Sequence, residues 1–288
     1  MPGVITVSFI KTEQDVNMPM ISCLCCNSRL TELNYLDQFL QKQLLHCSKC
    51  GHVQVAVIPD KKKLYEYYQN AYSADRKHMF SSRYINIMKK RALSQADYIG
   101  NYIRIGDWKV VDYGCGFGQT LEVFRKNGCQ VSGYDYDEVA VNYCKENNIN
   151  ANLMPADGII NLEDTDIVIM SHILEHLDTP DVTMAYIKKH ANYIFIEVPA
   201  YDYRINEQFD NQEGHLNFFT YTSLHKYLEK LSFEIVDIAS YGPSMNLFWK
   251  SNFRILRYIY RSFTRDYFYN RYNNRCDSGI WIRALVKC

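Results

Sequence analysis

The sequence predicts an α/β protein built on a doubly wound parallel sheet. Three observations carry this: a buried strand running into a glycine turn near residue 114, a second strand ending on Asp135, and a strand–helix alternation reaching Val198. Such alternation forms a parallel sheet with helices on both faces. Ligands then sit at the carboxyl ends of the strands, where strand order reverses.

The first strand, Lys109 to Tyr113, carries β-branched and aromatic residues suited to burial on both faces. Gly114, Gly116 and Gly118 follow, a run whose backbone can take positive φ and approach a ligand with no Cβ in the way. Gln119 and Thr120 open a helix whose first N–H groups point back at the turn, the geometry of a nucleotide-like site. Gln130 to Asp135 is the second strand. Its terminal acid lies about twenty residues beyond the turn, the offset at which a carboxylate meets ribose hydroxyls. A helix over Asp137–Asn147 leads to a third strand, Ile149–Met154, and then to Asp157. Asp166–Met170 is the fourth strand, Asp178-Thr179-Pro180 caps a helix ending near His190, and Tyr193–Val198 is the fifth. Phe233–Ala239 and Gly279–Val286 read as the last two strands.

Upstream, residues 1–20 read as a loosely held tail, with Val4–Ile10 as a partial strand. Residues 21–60 hold Cys23-x-x-Cys26 and Cys47-x-x-Cys50, separated by twenty residues. That is the spacing of a structural zinc ribbon, in which two tight turns each present two thiolates to one tetrahedral ion. Asn27 and Gly51 follow the pairs and tolerate the left-handed backbone a knuckle needs. Four cysteines leave no open position, so the zinc would be structural and would supply much of the module's folding energy. Cys25 makes the register ambiguous, His46 or His52 could replace a thiolate, and free thiols or a redox pair are the alternatives. Residues 61–106 form a helical linker or lid, with Tyr84, Ile87, Met88 and Arg91 near helical spacing. Its tyrosines pack as core or, through Tyr67, Tyr68 or Tyr72, close a pocket from the N-terminal side.

Composition narrows the function. Hydrophobic residues make up 47% of 288, a globular content able to bury a substantial core. Lys+Arg and Asp+Glu are both 32, so there is no basic field of the kind nucleic-acid binders show. No apolar run reaches membrane-spanning length and no signal pattern opens the chain, so a soluble cytoplasmic protein is expected. Ten cysteines, five of them clustered, favour a metal over disulfides in that compartment.

A glycine turn alone also fits nicotinamide or flavin binding. The combination of Asp112, the three glycines, Asp135, Asp157 and Ser171-His172-Ile173-Leu174-Glu175-His176-Leu177 resembles the class I S-adenosylmethionine-dependent methyltransferases. The resemblance covers about residues 107–240 of a domain expected over 107–288 and implies their Rossmann-like, seven-stranded sheet, with the final strand antiparallel between the fifth and sixth. It implies that Gly114, Gly116 and Gly118 face the methionine moiety, Asp135 the ribose and Asp157 the adenine amino group, with Gln119 and Ser171 as further contacts. With the cysteine knuckle, the chain is similar to bacterial sugar and natural-product methyltransferases, among them deoxysugar C-methyltransferases. Their Tyr-x-Glu-His-x-x-Tyr/Phe-Phe segment corresponds here to Gln212-Glu213-Gly214-His215-Leu216-Asn217-Phe218-Phe219. The glycine splits the Glu-His pair, the upstream tyrosine is absent, and the long C-terminal domain of the C-methylating members is missing. Oxygen methylation of a small molecule or carbohydrate is therefore expected.

The sulfonium methyl is already activated, so the enzyme must orient the nucleophile and accept its proton. His215, near Glu213, is the first candidate base, and His172 and His176 follow. Residues 246–274 interleave Lys250, Arg254, Arg257 and Arg261 with Trp249, Phe253, Tyr258 and Phe263. This basic aromatic insertion could touch an anionic membrane, bind a phosphate-bearing substrate, pack on another subunit of a homodimer, or cover the sheet edge of a monomer. The rival functions are sugar C-methylation, RNA modification using the ribbon and the basic helix, and a catalytically silent scaffold.

Overall fold

The computed structural model describes residues 22–36, 43–59, 61–74, 81–163, 165–202, 214–244, 275 and 279–288. The expected tail 1–20, Glu213 and the insertion 246–274 fall outside the described residues.

The N-terminal ribbon is an antiparallel meander of β1 (Thr31–Leu36), β2 (Gln43–His46) and β3 (Val53–Val55). Asn27 and Gly51 take the left-handed conformation, as the knuckle spacing predicts. Among the described residues of the expected helical linker lie α1 (Lys61–Ala74) and α2 (Ser82–Gly100). The Ser81 side chain accepts a hydrogen bond from the Tyr84 N–H at 3.2 Å, which caps α2.

The main sheet is built from β4 (Lys109–Tyr113), β5 (Gln130–Asp135), β6 (Ala151–Leu153), β7 (Thr165–Ser171), β8 (Ala191–Pro199), β10 (Glu234–Ser244) and β11 (Gly279–Lys287). Their order is β6-β5-β4-β7-β8-β11-β10, with β11 antiparallel to both its neighbours. The chain runs from β4 outward to β5 and β6, then returns to place β7 on the other side of β4. The carboxyl end of β4 is therefore the switch point, and it carries the glycine turn. On one face, Ala92, Ala96 and Ile99 of α2 pack on Val110, Ile167, Ile169 and Phe195. On the other, α5 (Pro180–His190) and α6 (Tyr221–Lys230) bury Met184, Ile187, Leu224 and Tyr227 against Val168, Ile194 and Ile196. Truncating one of these side chains, such as the fully buried Leu224, to alanine should cost about 2–5 kcal/mol.

The ribbon is not self-contained. A two-residue strand from the main domain, β9 (Asn217–Phe218), pairs antiparallel with β3 as the fourth strand of the ribbon sheet. The physical reason is core size: three short strands bury little. Leu216, Phe218 and Tyr201 from the main domain complete a small cluster around Leu44, Val53, Val55 and Leu64. The Thr220 hydroxyl, which caps α6, also donates to the Cys50 carbonyl at 2.9 Å, tying a cysteine knuckle to that helix. No helix among the described residues is long and apolar enough to cross a membrane.

Candidate active site

A cavity of about 300 Å³ opens at the carboxyl ends of β4, β5 and β7. Asp112, Gly114, Gly116, Gln119, Asp135, Asp157, Ser171, His172 and His176 all line it. Gly118 stands just behind as the N-cap of α3 (Gln119–Lys126), with φ +75° and a position so tight that a Cβ would lie 2.9 Å from the Cys144 sulfur. Gly114 has φ +84°, and a Cβ there would come within 2.0 Å of Ile173 Cδ1. These two positions require glycine both for conformation and for space.

Asp135 shapes the turn as well as facing the cavity. Its carboxylate accepts from the Gly116 N–H at 2.7 Å and from the Asp137 N–H at 2.8 Å. Asp112, buried beneath, has its carboxyl pushed up first by burial and then by the charge of Asp135. Asp157 is exposed at the rim, where it accepts from the Ile159 N–H at 3.0 Å. Tyr136 follows Asp135 and lines the cavity opposite α1. Tyr68 of α1 stacks on it at 6.2 Å between centroids, and Tyr65 meets it edge-on at 5.6 Å. Tyr65 and Tyr68 thus belong to the cavity wall.

The floor is an ion-pair network. Glu197 of β8 lies directly opposite Arg283 of β11 in the ladder and accepts from its Nε at 2.6 Å. Arg91 of α2 donates to the other carboxylate oxygen at 2.6 Å and to the Ser171 hydroxyl at 2.7 Å. Gln95 also donates to Ser171, at 2.7 Å. Burial pushes the Glu197 carboxyl up, but the Arg91 and Arg283 guanidiniums outweigh it and hold the group well below the usual carboxylate range.

Beside this floor lies a cluster of titratable groups. His172 sits in the left-handed region at φ +57°, rare for a residue with a Cβ and of a kind that concentrates at functional sites. Burial and the neighbouring Arg91 push its imidazole down to about 4. Glu175, on a single 3-10 turn Leu174–His176, is fully buried, and burial raises its carboxyl to about 8. His176 meets His215 edge-to-face at 4.4 Å between centroids. His215 is 9% exposed and stands behind His176, which is the ring that reaches the cavity wall.

In the ribbon, Cys23, Cys26, Cys47 and Cys50 converge, with sulfurs within 4.8 Å of one another. The Cys23–Cys50 and Cys26–Cys47 pairs are each 3.5 Å apart. A tetrahedral zinc with bonds of about 2.3 Å needs sulfurs a little under 4 Å apart, so the four residues fit the ion. Cys25 lies buried beside them, its thiol pushed up by burial.

Sequence reasoning missed Arg91, Gln95, Tyr136 and the Glu197–Arg283 pair. Arg91 shares the helical face of Ile87 and Met88, which masked its head group. Glu197 and Arg283 did carry a signal, since each is a lone charge inside an apolar strand and such charges survive burial only when paired.

A family profile described as a methyltransferase domain matches residues 63–238, more than half of the chain. No curated protein matches by sequence. Among solved structures, a SAM-dependent methyltransferase from Archaeoglobus fulgidus aligns with TM-score 0.51 and 21% identity, over 76% of this chain and 100% of that one. Magnesium protoporphyrin IX methyltransferase from Synechocystis PCC 6803, with bound SAH, gives TM-score 0.51 and 13% identity over 80% and 100%. A putative methyltransferase in complex with the Haloferax volcanii Trm112 activator gives TM-score 0.52 and 13% identity over 70% and 92%. Identities this low speak to the fold, and it is the same fold. With the profile match and the glycine turn at the switch point, the chain belongs to the methyltransferase-domain family and is a class I, S-adenosylmethionine-dependent methyltransferase.

Proposed function

We propose that the chain moves the methyl group of S-adenosylmethionine to a hydroxyl oxygen of a small-molecule or glycan acceptor, a sugar or nucleotide-sugar hydroxyl being favoured. The observation that carries this reading is the single cavity wall shared by the glycine turn, Asp135 and Asp157 on one side and His172 and His176 on the other. A sulfonium donor held over the turn would present its methyl toward those histidines. In this reading Asp135 meets the ribose hydroxyls and Asp157 the adenine amino group, while Tyr136 offers a ring face to the base. Asp112 fixes the turn from below, and Gln119 and Ser171 complete the cofactor contacts. Arg91 is the one guanidinium lining the cavity among the described residues, and it suits the methionine carboxylate.

In the transfer, the acceptor oxygen forms a C–O bond as the C–S bond breaks, and S-adenosylhomocysteine leaves as a neutral thioether. The hydroxyl proton passes to the histidine cluster, with His176 at the wall and His215 behind it as the candidate base. If His176 Nδ1 donates to the Gly214 carbonyl at 3.1 Å, its basic lone pair is on Nε2. Cys23, Cys26, Cys47 and Cys50 would hold a structural zinc that fixes the ribbon and, through β9, the His215 loop. A screen of radiolabelled methyl transfer over nucleotide sugars, phenolic metabolites and RNA tests the acceptor. Label on a sugar oxygen supports the reading, and label on carbon or on RNA overturns it.

A further inference from the structure

Glu175 poses a problem that the methyl-transfer reading does not solve. Its side chain is completely buried, yet neither carboxylate oxygen has a hydrogen-bond partner. His172 Nδ1 lies 3.4 Å from Oε1, without hydrogen-bond geometry. A buried carboxyl left this way costs several kcal/mol by order of magnitude, so something is expected to satisfy it. Two further imidazoles stand beside it: one nitrogen each from His176 and His215 and an oxygen of Glu175 all lie within 4.8 Å of one another.

We infer that Glu175, His176 and His215 form a second metal site, taking a divalent first-row transition ion at the cavity wall. Two imidazoles and one carboxylate are a donor set that suits such ions and leaves coordination positions open. Each histidine has its Nδ1 in a hydrogen bond, the kind of outer contact that metal-ligating imidazoles usually carry on the nitrogen that is not bound to the ion. His176 Nδ1 is 3.1 Å from the Gly214 carbonyl, and His215 Nδ1 is 2.8 Å from the Tyr201 hydroxyl. If Nδ1 carries the proton in each, the lone pair of each ring lies on Nε2, which would be the ligand atom. Bonds of about 2.1 Å put ligand atoms roughly 3–4 Å apart, so a bound ion would draw the three side chains slightly inward. The backbone already links them, because the Leu216 N–H donates to the Glu175 carbonyl at 2.8 Å. His176 lines the cavity, so the open positions would face the acceptor.

The site deepens the proposed transfer, and only its consequence rests on that reading. A cation there would bind the acceptor hydroxyl and make it more acidic; with both ring lone pairs on the ion, His176 and His215 would act as ligands and the hydroxyl proton would pass to water in the cavity. The metal claim itself is tested without turnover, by titrating the chelator-dialysed full-length protein with cobalt(II) and following its absorption. The cysteine site gives intense thiolate-to-cobalt bands, and the second site gives weaker ligand-field bands without thiolate character. We expect a second cobalt equivalent of that thiolate-free kind in the wild type, lost in Glu175→Gln and in His176→Asn. Tyr201→Phe, which removes only the outer bond to His215, should weaken that equivalent about 10–100-fold. Calorimetric binding of S-adenosylhomocysteine shows that each variant is folded, and its absence in the wild type would count against the cofactor reading instead. A wild type that takes up only thiolate-bound cobalt overturns the site, as does a second equivalent that survives both Glu175→Gln and His176→Asn.

Discussion

Gln54 of the cysteine ribbon lies opposite Asn217 of the methyltransferase domain, and the short ladder they share begins two residues beyond His215. The Val55 N–H extends the pairing to the Leu216 carbonyl at 3.0 Å. The ribbon is thus the clamp on one side of the histidine loop. Removing one of the four converging cysteines, as in Cys47→Ser, should loosen β3 and β9 together. Turnover should fall about 10–100-fold, the scale of a misplacement near 1 Å, while cofactor affinity stays nearly constant because the glycine turn lies elsewhere. Hydrogen exchange at Leu216–Phe218 checks the cause: protection retained in the variant would uncouple the ribbon from the loop.

Glu197→Gln should destabilise the fold by about 3–5 kcal/mol at neutral pH, because it leaves Arg283 and Arg91 facing an uncharged partner in the interior. The pH dependence follows from the depressed carboxyl of Glu197. Its stabilisation is present above the unfolded value near 4.5 and is lost as pH falls through the lower folded value. Urea unfolding of both proteins from neutral to acid pH should therefore show the penalty shrinking below that point. A penalty independent of pH would mean the ionised carboxylate is not what holds the pair.

Gly114→Ala should weaken S-adenosylmethionine binding by about 10–100-fold, from backbone strain of about 1–3 kcal/mol added to a clash with Ile173. Pairing it with Ile173→Ala relieves the clash and leaves the positive φ, so recovery should be partial. Full recovery would mean that space alone matters at this position.

His215→Ala should lower turnover about 10²–10⁴-fold and leave cofactor affinity nearly unchanged. Steady-state kinetics beside calorimetry separates the two, and unaltered turnover would remove His215 from the chemistry.

The sheet was legible because its signals are local. Lys109–Tyr113, the glycine run and Asp135 each announce a strand or turn within a few residues, and the structure puts them at one switch point. The cysteine spacing was legible for the same reason. Long-range pairings were not. Arg91 reaches Glu197 across 106 positions, and nothing in its helix marks the partner. Strand β9 is only two residues long, too short for any alternation, and its pairing depends on an incomplete ribbon core elsewhere in the chain. His215 was chosen from its motif, whereas its place behind His176 depends on how the 3-10 turn at Glu175 meets the returning loop.

The central claim is that the turn at the end of β4 holds S-adenosylmethionine, and isothermal titration calorimetry of the full chain tests it most directly. The account predicts saturable binding at one site per chain, weakened at least roughly tenfold, or about 1.4 kcal/mol, by Asp135→Ala, which removes both the proposed ribose contact and the carboxylate that fixes the Gly116 N–H. Absence of binding to the wild-type protein, or equal affinity in Asp135→Ala, would contradict it.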